Sequence, residues 1–521
     1  MEDWLFYALT TLLCYLLCLL LLRASARNSA GGKGHSAGGA LPPLPPGPTP
    51  LPLVGPLLFL LRPDLDVEAV LRRIAREHGP VFTYAPLGKA LPTIFVASRA
   101  AAHRALVQRG AAFASRPASS AVVNAGGIIF SPYGATWRAL RRNLTAGVLN
   151  PSRLRAFSPT RRRVLSILAS RFRAAGAGGE RPVAVMEPFQ HAMFRLLMCM
   201  CFGDRVEDAR VQDIEATHQE RIASFHSFEV FSFLPALTKV LFRRRWKKLV
   251  SLRWREEELF LPLVQARRDA AADGNGYCYV DSMLKLTIPE DGGRALTNDE
   301  IVSLCSEFLI AGADTTATAL LWIMANLVKY PAMQDRLRDE VAGVVGAADG
   351  AVREEDLQAM PYLKTVVLEG LRRQPPGHFL IPHTVPEDTT LDGYRVPAGV
   401  PINFAVGDIG LDEEVWDAPL EFRPERFLTG GEGEGVDLTG SKEIKMMPFG
   451  AGRRVCPGMA LALLQLEYFV ANLVREFRWC EADGEEVDLT EKIELTVVMK
   501  RPLKVKAVPL RSPLAATIPA A

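Results

Sequence analysis

A single cysteine, Cys456, follows a glycine-rich run and precedes a predicted helix, and this placement could support chemistry. The run extends from Phe449 to Gly458, and an apolar helix is predicted from Met459 to about Phe477. A cysteine at a helix N-terminus meets free backbone N–H groups and the positive end of the helix dipole, so we expect a stabilised thiolate. Arg454, two residues earlier, suits an anionic ligand.

The surroundings of Cys456 restrict the kind of metal centre that this residue can serve. A zinc site needs further cysteine or histidine ligands near by, and the neighbouring sequence has none. Haem iron, in contrast, can be held by one axial thiolate. A buried cysteine that only packs at a helix start is the alternative.

Two charged residues, Glu369 and Arg372, form a second pattern on a predicted helix between Pro361 and Pro375. A spacing of three residues places both side chains on one face of a helix. Taken alone, such a pair is typical of an ordinary surface ion pair.

The longest predicted helix, Asn298 to Tyr330, carries a third pattern at Ala311–Thr316. Thr297 and Glu300 have the spacing of a capping box at its start. The glycine and the two threonines in the pattern weaken helix propensity, and threonine hydroxyls can bond back to carbonyls and bend a helix. A bend beside a metal would leave a groove for a small ligand and water, and a packing kink is the alternative.

The patterns together resemble the cytochrome P-450 family of haem-thiolate monooxygenases, and the resemblance extends from a proline-rich segment to the C-terminal strands. The family pattern F-x-x-G-x-R-x-C-x-G matches at Phe449, Gly452, Arg454, Cys456 and Gly458. The local sequences at 131–134 and 446–449 resemble plant A-type microsomal members, in particular the 89A subfamily.

The resemblance implies a haem b cofactor with Cys456 as the axial ligand of its iron. It also implies that Asp314 and Thr315 deliver protons to dioxygen. Trp137 and Arg141, at helical spacing i, i+4, are expected to contact one haem propionate. His383 is expected at the other propionate, with a solvent-exposed loop histidine as the alternative.

Other residues receive structural or substrate-binding roles from the same resemblance. Glu369 and Arg372 are implied to be buried and joined by Arg426, so that the three brace the haem-binding core. The implied pocket for a lipophilic substrate is lined by Phe113, Ala311, Phe379, Leu380 and Val497.

The implied reaction inserts one oxygen atom from O2 into a lipophilic small molecule. Electrons would come from NADPH through a separate NADPH–cytochrome P-450 reductase, because Gly450-x-Gly452 lacks the third glycine of a dinucleotide fingerprint. A haem-thiolate isomerase or dehydratase and a non-catalytic membrane haem sensor are the alternatives. Neither alternative has a use for the acid–alcohol pair Asp314 and Thr315.

The composition of the chain limits the kinds of fold that could position these residues. The chain has 521 residues, of which 49% are hydrophobic, and a net charge of +3. These values exclude a disordered chain and argue against a nucleic-acid partner. Eight cysteines are too sparse for a disulfide scaffold. Helical patterns dominate, so the sequence predicts a mainly α fold with a small β region.

The N-terminal sequence predicts attachment to a membrane. Trp4 to Leu22 carries no charge and is long enough to span a bilayer, with acidic residues before it and basic residues after it. We therefore expect a single-pass signal anchor at residues 1–23 in the endoplasmic reticulum membrane, with the catalytic domain on the cytoplasmic face. A cleaved signal peptide is the alternative. Residues 24–56 are predicted to be a flexible and then proline-rich linker, 57–508 the catalytic domain and 509–521 a tail.

Overall fold

The fold is described from a computed structural model that covers residues 41–49, 67–85, 92–118, 127–232, 235–270, 277–289, 292–346 and 350–510. The predicted transmembrane segment, most of the predicted linker and nearly all of the predicted tail lie outside these residues.

Helices make up most of the described chain, as the sequence predicts. In chain order the α-helices are α1 Val67–His78, α2 Arg99–His103, α3 Ala135–Gly147, α4 Pro151–Ala156, α5 Ser158–Ala175, α6 Met186–Phe202, α7 Asp208–Ala223, α8 Phe225–Phe228, α9 Pro235–Leu241, α10 Arg243–Ala270, α11 Tyr279–Leu284, α12 Asn298–Lys329, α13 Pro331–Val345, α14 Pro361–Arg373, α15 Val406–Gly410 and α16 Met459–Glu476. A π-helical turn, Arg104–Gln108, extends α2.

The β structure is confined to small sheets. The strands are β1 Val81–Tyr84, β2 Thr93–Val96, β3 Val183–Ala184, β4 Thr287–Ile288, β5 Arg294–Ala295, β6 Thr389–Leu391, β7 Tyr394–Val396, β8 Ile402–Phe404, β9 Phe477–Glu481, β10 Glu491–Ile493, β11 Val497–Met499 and β12 Lys504–Pro509. Strand β2 pairs with β1 antiparallel and with β8 parallel, while β12 lies between β3 and β9. The predicted mainly α fold with a small β region is confirmed.

Helix α12 runs through the main hydrophobic core and fixes the geometry around it. The Thr297 hydroxyl accepts the Glu300 N–H at 3.2 Å, and the Glu300 carboxylate accepts the Thr297 N–H at 2.7 Å, which is the predicted capping box. A Cβ added at Gly312 would lie 2.7 Å from the end of the Leu197 side chain on α6, so a larger residue here would displace that side chain. Among the described helices, α12 alone is long and apolar enough to cross a bilayer, but it is mostly buried.

The helical pattern at 242–272 predicts a helix that Pro262 interrupts, and the structure contradicts the interruption. Helix α10 continues without a break through Pro262. Both Pro262 and Glu258, whose carbonyl loses its helical partner, are exposed. Water can therefore satisfy the freed carbonyl, and the helix tolerates the proline.

Part of the proline-rich segment is attached to the globular body. The Pro46 carbonyl accepts the N–H of Thr83 on β1 at 2.8 Å, and the Pro43 carbonyl accepts the N–H of Arg395 on β7 at 2.8 Å. Pro45 is buried. The predicted linker is therefore not a free spacer along its whole length.

Candidate active site

The segment before α16 is held in one conformation by two glycines. Gly450 and Gly452 have φ values of +71° and +68°, which favour glycine. A Cβ at Gly452 would lie 1.8 Å from the Leu106 carbonyl oxygen, so this turn also packs too closely for any side chain. The N–H of Cys456 then donates to the Phe449 carbonyl at 2.8 Å and closes the loop around the thiol.

The electrostatics at Cys456 differ from the sequence prediction. Burial raises the pKa of the Cys456 thiol, although the Gly458 N–H and the Arg141 guanidinium act in the opposite direction. Helix α16 begins at Met459, so the thiol lies outside its first turn, and desolvation outweighs the helix end. The protein alone therefore favours the thiol, and a bound metal cation would supply the charge that stabilises a thiolate.

Arg454, which is half-buried in this loop, and Arg116, which is buried near it, donate only to carbonyl oxygens in the described chain. Arg454 donates to Ala114 at 2.7 Å, to Ile128 at 3.0 Å and to Ser131 at 2.6 Å. Arg116 donates to the carbonyls of residues 129, 381 and 382 at 2.9, 2.7 and 3.0 Å. Burial lowers the pKa of Arg116 to about 9 and that of Arg454 to about 10, and repulsion between cations adds to both shifts.

Arg141 and Trp137, on α3, belong to the same cationic cluster. The Arg141 guanidinium donates to the Val455 carbonyl, beside Cys456, and burial lowers its pKa. The Trp137 indole N–H donates to the Ile128 carbonyl at 3.0 Å, and the Arg454 guanidinium lies 4.5 Å from the Trp137 ring centroid. The structure thus brings Trp137, Arg141 and Arg454 together.

His383 is buried, which excludes the solvent-exposed loop histidine considered from the sequence. Only 2% of the residue is exposed, and Nδ1 donates to the Phe113 carbonyl at 2.7 Å. Burial, together with the charges of Arg116 and Arg454, lowers the pKa of His383 to about 3. A carboxylate placed among these three side chains would oppose that shift.

This cluster fits an anionic cofactor. No salt bridge joins Arg116, Arg141 or Arg454 to a carboxylate of the described residues, although each guanidinium is largely removed from water. Buried cations without anions are unfavourable, and two carboxylates of one ligand would relieve this cost. The sequence did not single out Arg116, because this residue is far from Arg454 along the chain and only the fold brings the two together.

Glu307 is a further acidic group that the sequence analysis missed. Its carboxylate accepts the N–H of Ile128 at 2.5 Å and the N–H of Ile129. Burial raises the pKa of the Glu307 carboxyl to about 7, against the effect of the two N–H groups. The carbonyls of Ile128 and Ile129 accept from the cationic cluster, so Glu307 ties that cluster to α12.

Helix α12 is mostly buried, but one short stretch of its surface is accessible. Ala311 is exposed and Thr315 is half-buried, although most of the neighbouring helix is buried. The Thr315 hydroxyl donates to the Ala311 carbonyl at 2.7 Å, which is the predicted back-bond. The neighbouring Asp314 is 3% exposed, so it does not meet solvent directly.

The implied pocket residues occupy different environments. Ala311 is exposed, and Leu380 is half-buried against Gly450, where an added Cβ would lie 3.4 Å away. Phe379 is half-buried and packs edge-on against Phe95 at 5.8 Å. Phe113 and Val497 are 0% and 1% exposed, so neither presents open surface to a ligand, and both pack in the core.

Glu369, Arg372 and Arg426 form a buried triad at the C-terminal end of α14. The Arg372 guanidinium makes a bidentate contact with Glu369 at 2.7 and 2.8 Å, and Arg426 Nε lies 3.3 Å from the same carboxylate. All three side chains are fully buried. The backbone N–H of Arg423 also donates to Glu369 at 2.8 Å, and Arg372 donates to the Gly410 carbonyl at 2.8 Å. The Glu369 carboxylate therefore joins α14 to the 423–426 segment, and Arg372 adds a contact to the end of α15.

We expect Glu369→Ala to lower the free energy of unfolding by about 3–5 kcal/mol, because two buried guanidiniums lose their carboxylate. Denaturant titration of the purified protein measures the change. Glu425→Ala is the control, since Glu425 and its partner Arg336 are exposed and such pairs contribute about 1 kcal/mol or less. Equal losses in the two variants would contradict the buried role of Glu369.

The fold and the site define a mainly helical protein that can hold an anionic metal cofactor through one thiol. Residues 45–507 match the sequence model of the Cytochrome P450 family. The chain is 45% identical to cytochrome P450 89A9 of Arabidopsis thaliana, over 90% of this chain and 94% of that protein. It is 29% identical to the flavonoid 3'-monooxygenase of the same plant, over 97% and 98% of the two chains.

Solved structures agree on the fold. A zebra fish cytochrome P450 determined with progesterone has a TM-score of 0.71 and 24% identity, and covers 86% of this chain and 100% of its own. The chain belongs to the cytochrome P450 family and is similar to the 89A subfamily. It is a haem monooxygenase that uses O2 and electrons from NADPH delivered by a redox partner.

Proposed function

We propose that Cys456 is the axial haem ligand of a monooxygenase in which Thr315 and Asp314 supply protons during the activation of dioxygen. The observation that supports this proposal is the cluster of one buried and two half-buried arginines beside Cys456, which form no ion pair with a carboxylate of the described chain. When bound, haem b would activate O2 so that one atom enters the substrate and the other leaves as water.

The cationic cluster would hold the two carboxylates of haem. Arginine forms paired hydrogen bonds with carboxylates, and removal from water strengthens these contacts. The residues assigned to this task are Trp137, Arg141, His383 and Arg454, with Arg116 added from its place in the structure. Phe449, Gly452 and Gly458 would shape the loop that presents the Cys456 sulfur.

We expect Arg116→Gln to weaken haem retention roughly tenfold to a hundredfold, the effect of losing about 1.5–3 kcal/mol from a charged hydrogen bond. The rate of haem transfer from the purified protein to an acceptor protein measures this change. Arg109→Gln is the matched control, because Arg109 is exposed and donates to β6. If both variants retain haem like the wild type, Arg116 does not hold the cofactor.

The proposed substrate is a lipophilic small molecule. Ala311 and Leu380 are apolar side chains with open surface, and Ile381 is 38% exposed although the Arg116 guanidinium contacts its carbonyl. An apolar pocket with few polar groups selects ligands by burying hydrophobic surface. We therefore add Ile381 to the proposed pocket. Phe113 and Val497 are buried, so we place them in the layer behind the residues that line it.

We propose NADPH–cytochrome P450 reductase as the electron donor. Arg138 and Arg142 are exposed on α3, the helix that brings Arg141 beside Cys456, and Arg453 is exposed in the cysteine loop. The guanidiniums of Arg138 and Arg453 each lie 5.6 Å from the Tyr133 ring centroid. A basic surface so close to the thiol suits an acidic face on the electron donor.

The function is tested by NADPH consumption with added reductase while candidate ligands are screened by the shift of the haem absorption band. A ligand that shifts the band should stimulate NADPH use and yield a product one oxygen atom heavier. An isomerase or dehydratase would convert its substrate without NADPH. A haem sensor would shift the band without any turnover.

We also propose a single-pass anchor at residues 1–23 in the endoplasmic reticulum membrane, a linker over 24–56, a catalytic domain over 57–508 on the cytoplasmic face and a tail at 509–521. Deleting residues 1–23 should move most of the protein from microsomes to the soluble fraction, because a spanning helix is lost. Fractionation of full-length and truncated proteins measures this change.

Topology is checked on the same preparation. Protease added to sealed microsomes should digest the body of the full-length protein, and full protection would instead place the body in the lumen. Asn143, in the sequon at 143–145, lies within α3 and donates to the Ser282 hydroxyl at 3.0 Å. The folded body would therefore not offer this asparagine for glycosylation.

A further inference from the structure

Asp314 is enclosed on α12 by two hydrogen-bond donors. Its Oδ1 accepts from the Gln190 side-chain amide at 2.9 Å, and its Oδ2 lies 2.8 Å from Nε2 of His218. The aspartate is 3% exposed and the histidine 5%. If Asp314 supplies protons to Thr315, as proposed above, those protons must first reach Asp314 through another group.

His218 has the chemistry for this transfer. A carboxylate only accepts hydrogen bonds, so Nε2 of His218 carries the hydrogen when Asp314 is ionised. Imidazole has two ring nitrogens and can take up a proton at one while releasing a proton from the other. Gln190 cannot do this, because its amide does not titrate in the physiological range. The His218 ring also packs against Phe194, with 5.0 Å between ring centroids, and this contact fixes its orientation.

A small cavity of about 10 Å³ lies beside His218. This is about the volume that one water molecule needs, and such a water requires two to four polar partners. The cavity walls provide them, because they include the polar residues Thr217, His218, Glu256 and Ser306. The remaining lining residues are Ile214, Leu259, Phe260 and Leu309.

The polar wall of the cavity is a buried charged network between α7, α10 and α12. The Ser306 hydroxyl donates to Glu256 at 2.9 Å, and Arg221 donates to Ser306 at 3.0 Å and to the Glu256 carboxylate. Glu256 is 7% exposed and Arg221 9%. The network keeps an acceptor and donors at the cavity in fixed positions.

We propose that His218 relays protons between a water in this cavity and Asp314. A proton passes from the cavity water to Nδ1 of His218 while the Nε2 proton passes to Oδ2 of Asp314. The Asp314 carboxyl then supplies its proton toward Thr315 and becomes a carboxylate again, while a proton from solvent restores the cavity water. His218 is left protonated at Nδ1 alone, and exchange of its ring protons with water returns the proton to Nε2 before the next transfer. The inference rests on the proposed proton role of Asp314 and Thr315.

The test compares His218→Gln and His218→Phe in the haem-loaded, full-length enzyme. Glutamine keeps a donor for Asp314 but cannot relay protons, whereas phenylalanine removes both properties. We expect product formed per NADPH consumed to fall roughly tenfold or more in both variants. Both should release more peroxide than the wild type and show a larger solvent isotope effect on product formation. Haem content should stay at the wild-type level in His218→Gln. Recovery of the wild-type ratio in His218→Gln would show that His218 is only a structural donor, and would overturn the relay.

His191→Gln is the matched control. His191 and Glu215 form a histidine–carboxylate pair between α6 and α7, with 2.7 Å between Nδ1 and the carboxylate. This pair does not contact Asp314, so the product ratio of His191→Gln should match that of the wild type. A loss equal to that of His218→Gln would attribute the effect to helix packing and overturn the relay.

A second readout does not depend on turnover. In protein labelled with 15N-histidine, Asp314→Asn should shift the ring nitrogen resonances of His218 and leave those of His191 in place. Unmoved His218 resonances would overturn the contact on which the relay depends. Thr315→Ala separates the two proposals: if it lowers the product ratio and His218→Gln does not, only the relay is wrong. If neither variant lowers the ratio, the proposed proton role of α12 fails, and the relay fails with it.

Discussion

Replacing Cys456 by alanine should abolish NADPH-dependent product formation and leave little haem bound to the purified protein. The reason is that the cationic cluster can hold the carboxylates of haem, but Cys456 is the sulfur ligand proposed for the iron. In the cofactor-free protein burial raises the pKa of this thiol, so binding of the metal also has to displace its proton. We therefore expect wild-type loading to release a proton that the alanine variant does not release.

Haem content per polypeptide and product formed with added reductase are the measurements. Cys480→Ala is the control, because Cys480 is a half-buried free cysteine on β9 and lies outside the proposed site. The control should bind haem and turn over like the wild type. Full activity in Cys456→Ala would remove Cys456 from the haem site.

Thr315→Ala should lower product formation by roughly 10²–10⁴-fold, the range for loss of positioned acid–base assistance. Alanine keeps helix propensity, and among the described residues the Thr315 hydroxyl bonds only to the Ala311 carbonyl of its own helix. Haem content and stability should therefore survive. NADPH consumption should continue, with the electrons appearing as peroxide.

The ratio of product to NADPH, with peroxide titrated in parallel, measures this second effect. Thr315→Ser is the matched variant, because it keeps the hydroxyl and removes only a methyl group. Serine should recover most of the wild-type ratio. A wild-type ratio in Thr315→Ala would show that protons reach the site by a route that does not use this hydroxyl.

Local patterns in the sequence predicted the elements that depend on neighbouring residues. The capping box of Thr297 and Glu300 located the start of α12, and the end prediction differs by one residue. The helical pattern of 67–78, stopped by the Gly-Pro pair that follows it, predicts helix α1, and the helix has these bounds. Such features depend on hydrogen bonds within a few residues, which are visible in a single sequence.

Features that depend on tertiary contacts were missed or misjudged. Arg116, Glu307 and His218 gain their roles from partners that are distant in the chain, and no local spacing marks them. The stabilised thiolate predicted at Cys456 assumed a helix end in water, whereas burial has the larger effect. Pro262 lies on an exposed helix face, so it does not break α10, and that exposure is set by packing rather than by local sequence.

The absorption spectrum of the reduced wild-type protein with carbon monoxide tests the central claim most directly. A haem held by the Cys456 thiolate should give the band at about 450 nm that is typical of thiolate-ligated haem. The same band should persist in Cys480→Ala. A wild-type spectrum of the imidazole-ligated type, at shorter wavelength, would contradict the account.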